Sequence, residues 1–509
     1  MFTVNRASQC AFARHNGKHD MSSSTSTTEA TRNDTRFFGH PLPLMQLFSL
    51  ELWERFSYYG MNGILAIYLY FQVSEGGLGM PQPTAIGIVG AYGGAVFLAT
   101  ILGAWVADRI LGAEKILFYS AIIIMVGHIC LALIPGFGGV AAGLILVALG
   151  SGGLKANASA LVGELYSEKD PRRDAGFTLF YMGVNLGAFL GPLITGLLQK
   201  EIGFHFGFGA AAVGMALGLI IYATGRKNLP DESRGAVNPL PSSKLYLFLL
   251  AIVVAVVLIV VLWFSGVVNP ENLDWWIAGI SAGAAACYFI VMGVSPQTNA
   301  DERSRVLAFI PFFVTCVVFW SLYQQIFGTL TAYSDSQMNR EIFGWEMPIN
   351  WLQLIPPIFV IAFAPVFSAV WFKLGTRQIS TPVKAGLSLI LIGIAFLLFL
   401  PYANAGEHET PLLWVAFILL LFVFAELLIS PIGLSFSSKV APKVFQSQMI
   451  AVFFLASGVG TALSGVLGGY YSADNQTPYW TSIGAASIIL GLLALTLTKP
   501  MLKALRGIR

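Results

Sequence analysis

The chain has 509 residues, of which 56% are hydrophobic and only 11% charged, with a formal net charge of +3. Soluble domains carry roughly 25% charged residues, so a water-soluble globule is excluded, and so small a net charge argues against a nucleic-acid partner. The apolar residues fall into recurrent runs of about 20, the length of a membrane-spanning helix, and not into the alternating segments of about 10 that build an outer-membrane barrel.

Residues 1–40 are polar, include the low-complexity run Ser22 to Thr28 and lack the apolar core of a secretory signal; they read as a disordered cytoplasmic tail, with Met21 as an alternative start. Fourteen spanning helices are expected after it, centred near residues 58, 96, 125, 150, 186, 215, 254, 284, 318, 361, 390, 424, 457 and 488. With the tail inside, the Lys and Arg residues between the helices, from Arg109 and Lys169 to Arg506 and Arg509, face the cytoplasm. Only Lys200 and Arg340 face outward, as the positive-inside rule requires, and the even helix count puts both termini inside. The short basic loop Gly103 to Gly112 after the second helix has a weak counterpart in Phe372 to Arg377 after the tenth. This repeat divides the chain into two six-helix bundles, 41–225 and 301–509, the second ending in a short basic tail. The stretch 226–300 is then a linker holding an inserted helix pair, and a site between the bundles near the midplane follows from the logic of secondary transporters.

Five ionisable residues lie inside the apolar spans: Glu51, Glu54, Arg55, Lys155 and Glu426. At about 2.5–3.5 kcal/mol each near a helix centre, they are too costly to keep unless they are paired or face a polar cavity. Glu51, Glu54 and Arg55 share one helical face, and two carboxylates beside one guanidinium leave one able to hold or release a proton. Lys155 follows Gly150-Ser151-Gly152-Gly153, small enough for another backbone to come close and set the ammonium beside the first helix's carboxylates. A cavity with Arg55 and Lys155 on one wall and Glu426 on the other suits a zwitterion, such as an amino acid or short peptide.

Glu51-Leu-Trp-Glu54-Arg55-Phe56-Ser-Tyr58-Tyr59-Gly60 resembles the ExxERFxYYG motif of the proton-coupled oligopeptide transporters, a branch of the major facilitator superfamily. Phe180-Tyr181-Met-Gly-Val-Asn185-Leu-Gly187 resembles their FYxxINxG motif, and the inserted helix pair is similar to that of bacterial members. Gly153 to Asn157, Phe319-Trp320 and Glu426 to Pro431 correspond in order and spacing. The resemblance implies an all-α major facilitator fold and a proton-coupled symporter, not an enzyme, that imports di- and tripeptides across the bacterial inner membrane as a monomer in the lipid bilayer. It implies no cofactor or metal beyond the coupling proton. It further implies Arg55 and Lys155 for the peptide carboxylate, Asn185 and Glu426 for the amine, Tyr59, Tyr181, Trp320 and Ser430 for side-chain pockets, and Glu51 and Glu54 for the proton. A related carrier of another small zwitterion or anion, or a peptide sensor that does not transport, uses the same pocket.

Several positions depart from the family pattern. Asn62 and Gln324 stand where many members have an Arg and an acid, so an amide hydrogen bond is expected to replace a gating salt bridge. Pro356, Phe97 and Phe453 stand where a second amine-binding Asn, a pocket Tyr and a pocket Trp are usual, which makes the pocket more apolar. Other signals carry no chemistry. Gly279-Ile-Ser281-Ala-Gly283 lies inside an apolar run rather than at a strand-to-helix elbow. Gly17-Lys18 lacks the rest of a phosphate-binding loop. His128 and His205 have no second ligand, Gly458 to Gly469 reads as a close-packing surface, and Cys10, Cys130, Cys287 and Cys316 form no CxxC pair.

Overall fold

The computed structural model describes residues 34–167, 170–403 and 405–506. The expected tail up to residue 33, Lys169 and Arg509 lie outside the described residues. Fourteen long helices follow in order: α1 Leu42–Tyr70, α2 Gln82–Val106, α3 Ala113–Leu133, α4 Gly136–Glu164, α5 Arg173–Glu201, α6 Phe204–Gly225, α7 Ser242–Phe264, α8 Leu273–Val294, α9 Ala300–Tyr323, α10 Ile355–Leu374, α11 Thr381–Leu397, α12 Leu412–Val440, α13 Gln446–Gly468 and α14 Thr477–Ala504. Thirteen are long and apolar enough to cross a membrane. The remaining one, α1, has the length at 29 residues, but its polar and charged side chains lower its hydropathy. All fourteen expected helices are therefore present, six for each bundle and two for the inserted pair.

The apolar core is double. One cluster runs from Leu44 to Leu229 and takes in Ile349; the other runs from Met292 to Leu505 and takes in Ile86. Each half thus lends a buried side chain to the other near the face opposite the chain termini. Helix α7 has no buried residue, whereas α8 packs against both α2 and α13 and so bridges the halves. The linker before α7 is pinned by backbone bonds from Asn238 N to Asp108 O (2.9 Å) and from Leu240 N to Arg109 O (2.7 Å).

Two expected loops prove partly helical. Gly103–Val106 completes α2 and Ala107–Leu111 forms a π-turn that ends at Gly112, whose φ of +89° only glycine adopts freely. Phe372–Leu374 likewise completes α10, which stops at Gly375 with φ +48°. Helix α9, in turn, is broken after Tyr323 by a 3-10 turn, Gln324–Phe327, and resumes as the short helix Thr329–Ser336. A hairpin of Glu341–Ile342 and Trp345–Glu346 follows. Asp34 caps the entry to α1 by accepting from Leu42 N at 3.0 Å, and the Arg36 guanidinium beside it holds its carboxyl well below the usual carboxylate range.

Lipid supplies no hydrophobic drive between helices, so close packing at small residues must hold them. The glycines of α13 serve that purpose: a Cβ on Gly90 of α2 would lie 2.5 Å from Gly465 N and 2.6 Å from Gly465 Cα, where backbone cannot give way cheaply. Gly90→Ala is therefore expected to destabilise the detergent-solubilised protein by about 1–3 kcal/mol, whereas Gly283→Ala, with open space around it, leaves thermal unfolding unchanged. Equal melting of the two variants would refute the close crossing.

A charged cavity between the two halves

A cavity of about 350 Å³ lies between the halves. Its lining includes Arg55, Tyr58 and Tyr59 from α1, Phe97 from α2, Lys155 from α4 and Asn185 from α5. From the other half come Trp320 and Tyr323 of α9, Pro356 of α10, Glu426 and Ser430 of α12 and Phe453 of α13.

The charges on the first half are held by contact with α5. A Cβ on Gly187 would come within 2.9 Å of Arg55 Cβ, and one on Gly60 within 3.1 Å of Gly191 O, so only glycines let α5 lie so close to α1. In that crevice Arg55 Nε is 2.6 Å from a Glu54 oxygen and 3.1 Å from a Glu51 oxygen, and all three side chains are almost fully buried. These contacts are Coulombic and poorly aligned: neither Arg55 Nε nor one of its Nη atoms has a hydrogen-bond partner among the described residues. Glu54 accepts its hydrogen bond from Ser151 Oγ at 3.1 Å.

Lys155 departs from expectation. The glycines before it pack on α2 and α3: a Cβ on Gly153 would meet Ser120 and Ile116, and a Cβ on Gly103 would lie 2.5 Å from Gly153 Cα. That docking sets Lys155 Nζ 4.4 Å from the centre of the Phe97 ring, and no carboxylate of the described residues reaches salt-bridge distance of it. The link from α4 to the carboxylates is instead Ser151, one turn earlier. A cation over an aromatic face is stabilised without being neutralised.

On the opposite wall Glu426 accepts a hydrogen bond of 2.6 Å from Tyr323 Oη. Asn185 donates to Tyr181 O of its own helix at 2.9 Å, which leaves its carbonyl oxygen as a free acceptor. Tyr59 stacks on Phe327 with ring centres 6.2 Å apart, and Trp320 packs edge-on to Tyr323. Of the twelve expected site residues, Arg55, Tyr59, Lys155, Asn185, Trp320, Gln324, Glu426 and Ser430 line this cavity, while Glu51 and Glu54 stand behind Arg55. Tyr181 lies outside it, 55% exposed, one turn nearer the terminal face than Asn185. Tyr323 and Ser151 were not expected. The spacing of Tyr323, three residues after Trp320, could have signalled it; Ser151 was hidden among the packing glycines.

Asn62 and Gln324 share a small polar pocket of about 10 Å³, with room for about one water. The expected amide-to-amide bond is not formed: Gln324 Nε2 donates to Thr461 Oγ1 at 3.2 Å, and Asn62 Oδ1 is buried without a hydrogen-bond partner among the described residues. The 3-10 turn that begins at Gln324 is the physical reason, since it aims the amide at α13 instead of α1. Other bonds join the halves toward the face opposite the termini. Tyr70 Oη donates to Asp335 at 3.0 Å, Asn350 Nδ2 to Pro192 O at 3.0 Å and Trp351 Nε1 to Leu193 O at 3.2 Å, and Lys200 clamps Glu346 of the hairpin.

Comparison with known proteins agrees with this geometry. The sequence model of the PTR2 family, described as the POT family, matches residues 114–487. The chain is 39% identical over 474 residues to the uncharacterized transporter YclF of Bacillus subtilis, covering 93% of this chain and 96% of that one. It is 37% identical over 492 residues to the di-/tripeptide transporter of Lactococcus lactis subsp. cremoris, covering 94% and 99%. It also superposes with a TM-score of 0.88 at 35% identity on a POT family transporter crystallised with 5-aminolevulinic acid, covering 93% of this chain and 99% of that one.

The shared pocket of Asn62 and Gln324 makes a prediction. Gln324→Glu alone buries an uncompensated carboxylate there and should cost on the order of 3 kcal/mol, and adding Asn62→Arg should recover part of the loss. Thermal unfolding in detergent measures both, and an equal loss in the single and double variants would refute the sharing of one pocket by the two side chains.

Proposed function

Since the chain belongs to the POT family and is a multi-pass peptide transporter, we propose that it is a proton-coupled symporter importing di- and tripeptides by alternating access, with the residues of its cavity in the following roles. The observation that carries the assignment is the polarity of the cavity, with Lys155, in no salt bridge among the described residues, and Arg55 on one half and Glu426 on the other. A peptide carboxylate is drawn to Arg55 and Lys155, its amine to Glu426 and Asn185. Its side chains lie against Tyr59, Trp320 and Ser430 and the apolar Phe97, Pro356 and Phe453, with Tyr181 near the entrance.

Glu51 and Glu54 share one guanidinium. Adding a proton to either removes one negative charge and releases Arg55 N–H groups, which then favour an incoming carboxylate; the peptide in turn favours the protonated state. Asn62 and Gln324 belong to the gate on the face opposite the termini, where Tyr70–Asp335 and Asn350–Pro192 close the halves together. Rocking of the two bundles, 41–225 and 301–509, about this site exposes it to each side in turn, and the 226–300 segment rides between them. The termini are cytoplasmic, the membrane is the bacterial inner membrane, the working unit is a monomer, and the coupling ion replaces any cofactor. No enzymatic step is assigned: Ser281 Oγ is buried in α8 without a hydrogen-bond partner among the described residues.

A second reading has one observation in its favour. The structural relative holding 5-aminolevulinic acid binds a zwitterion that is not a peptide, and the same separated charges would hold such a molecule here. Competition between dialanine and 5-aminolevulinic acid for the purified protein ranks the two.

In proteoliposomes with an inside-negative potential, labelled dialanine should accumulate when an inward proton gradient is imposed. Glu54→Gln and Lys155→Ala should each abolish that accumulation while eluting as folded protein. Accumulation retained in both variants would overturn the assignment.

A further inference from the structure

Tyr323 stands outside the roles given above, yet it provides the sole hydrogen bond described for the cavity's only lining carboxylate, Glu426. The two come from different helices, α9 and α12, and a distance of 2.6 Å is that of a charge-assisted O–H···O⁻ bond, among the stronger hydrogen bonds available to a side chain. The phenol is itself fixed on three sides, with ring centres 5.6 Å from Phe319, 5.7 Å from Trp320 and 6.1 Å from Phe422. Phe422 lies one helical turn before Glu426 on α12, so the ring that buttresses Tyr323 and the carboxylate that Tyr323 holds belong to the same helix. Tyr323 engages one carboxylate oxygen and leaves the other for a ligand.

We propose that Tyr323 is a positioning residue for amine recognition: it fixes the Glu426 carboxylate so that its second oxygen faces the free ammonium of the substrate. The proposal deepens the reading of Glu426 as the amine site and rests on it. An unfixed glutamate must be ordered when the ligand arrives, and a carboxylate facing an apolar wall must find another donor; Tyr323 removes both costs before binding. The residue therefore acts on ligands that carry an amine and not on those that lack one.

The test compares the affinity of purified protein for dialanine with that for propionyl-alanine, which has the same shape and carboxylate but no amine. In Tyr323→Phe the preference for dialanine over propionyl-alanine should fall about tenfold, the worth of one hydrogen bond to a charged group. Affinity for propionyl-alanine itself should stay within about twofold, a change small beside the loss of such a bond. Tyr323→Gln, which keeps a donor, should retain most of the preference, and this comparison stands if the phenylalanine variant folds poorly. An unchanged preference in Tyr323→Phe, or an equal loss for both ligands, would overturn the proposal. Failure of the wild-type protein to bind dialanine at all would instead overturn the peptide reading on which it rests.

Discussion

The structure is organised around the burial of Glu51, Glu54 and Arg55 in one helix that must cross an apolar layer. Three charges at such a depth are tolerable only if each is matched at short range, because the interior offers little solvation of its own. The match is reached by local geometry, since i and i+4 on a helix bring Glu51 under Arg55 and Glu54 lies beside it. It is then protected by packing: Gly187 and Gly191 let α5 close over the cluster, and Ser151 takes up the remaining oxygen of Glu54. Any side chain larger than hydrogen at Gly187 would hold α5 off and admit water to charges that now attract one another strongly.

A second consequence concerns Lys155. With two acids and two cations, the first half's cluster is neutral as a set, but its charges are not evenly paired. Arg55 takes both carboxylates and Lys155 is left with the face of Phe97. An aromatic ring stabilises an ammonium while leaving its charge available to a ligand. On the far wall the phenol of Tyr323 does the converse for Glu426, satisfying one oxygen and leaving the charge in place. Aromatic residues thus keep the two poles apart and active, which a direct salt bridge would not.

Much of this was legible in the sequence. Helix number and order follow from apolar runs, and the outlying charges single themselves out because nothing else in a span costs as much. What was not legible is partnership across helices. The glycines before Lys155 read correctly as a surface for close approach, but the pattern cannot say which backbone approaches, and it is α2 and α3 rather than α1. The break after Tyr323 is marked only by Gly328 at its end, which does not say where the Gln324 side chain goes; the turn sends its amide to Thr461 and leaves Asn62 Oδ1 without a partner among the described residues.

The neutrality of Asn62 and Gln324 changes where a proton can act. Amides do not titrate, so this part of the closure opposite the termini is insensitive to pH, and its strength comes from hydrogen bonds that water can replace. Acidic groups in the central region are then Glu426 on one wall and the Glu51–Glu54 pair behind the other. On the proposed roles, coupling of proton to peptide runs through the same few side chains that contact the peptide, since Arg55 both faces the cavity and holds Glu51 and Glu54. The proposal thus makes substrate recognition and energy coupling a single electrostatic balance, held in a crevice that two glycines of α5 keep open to α1.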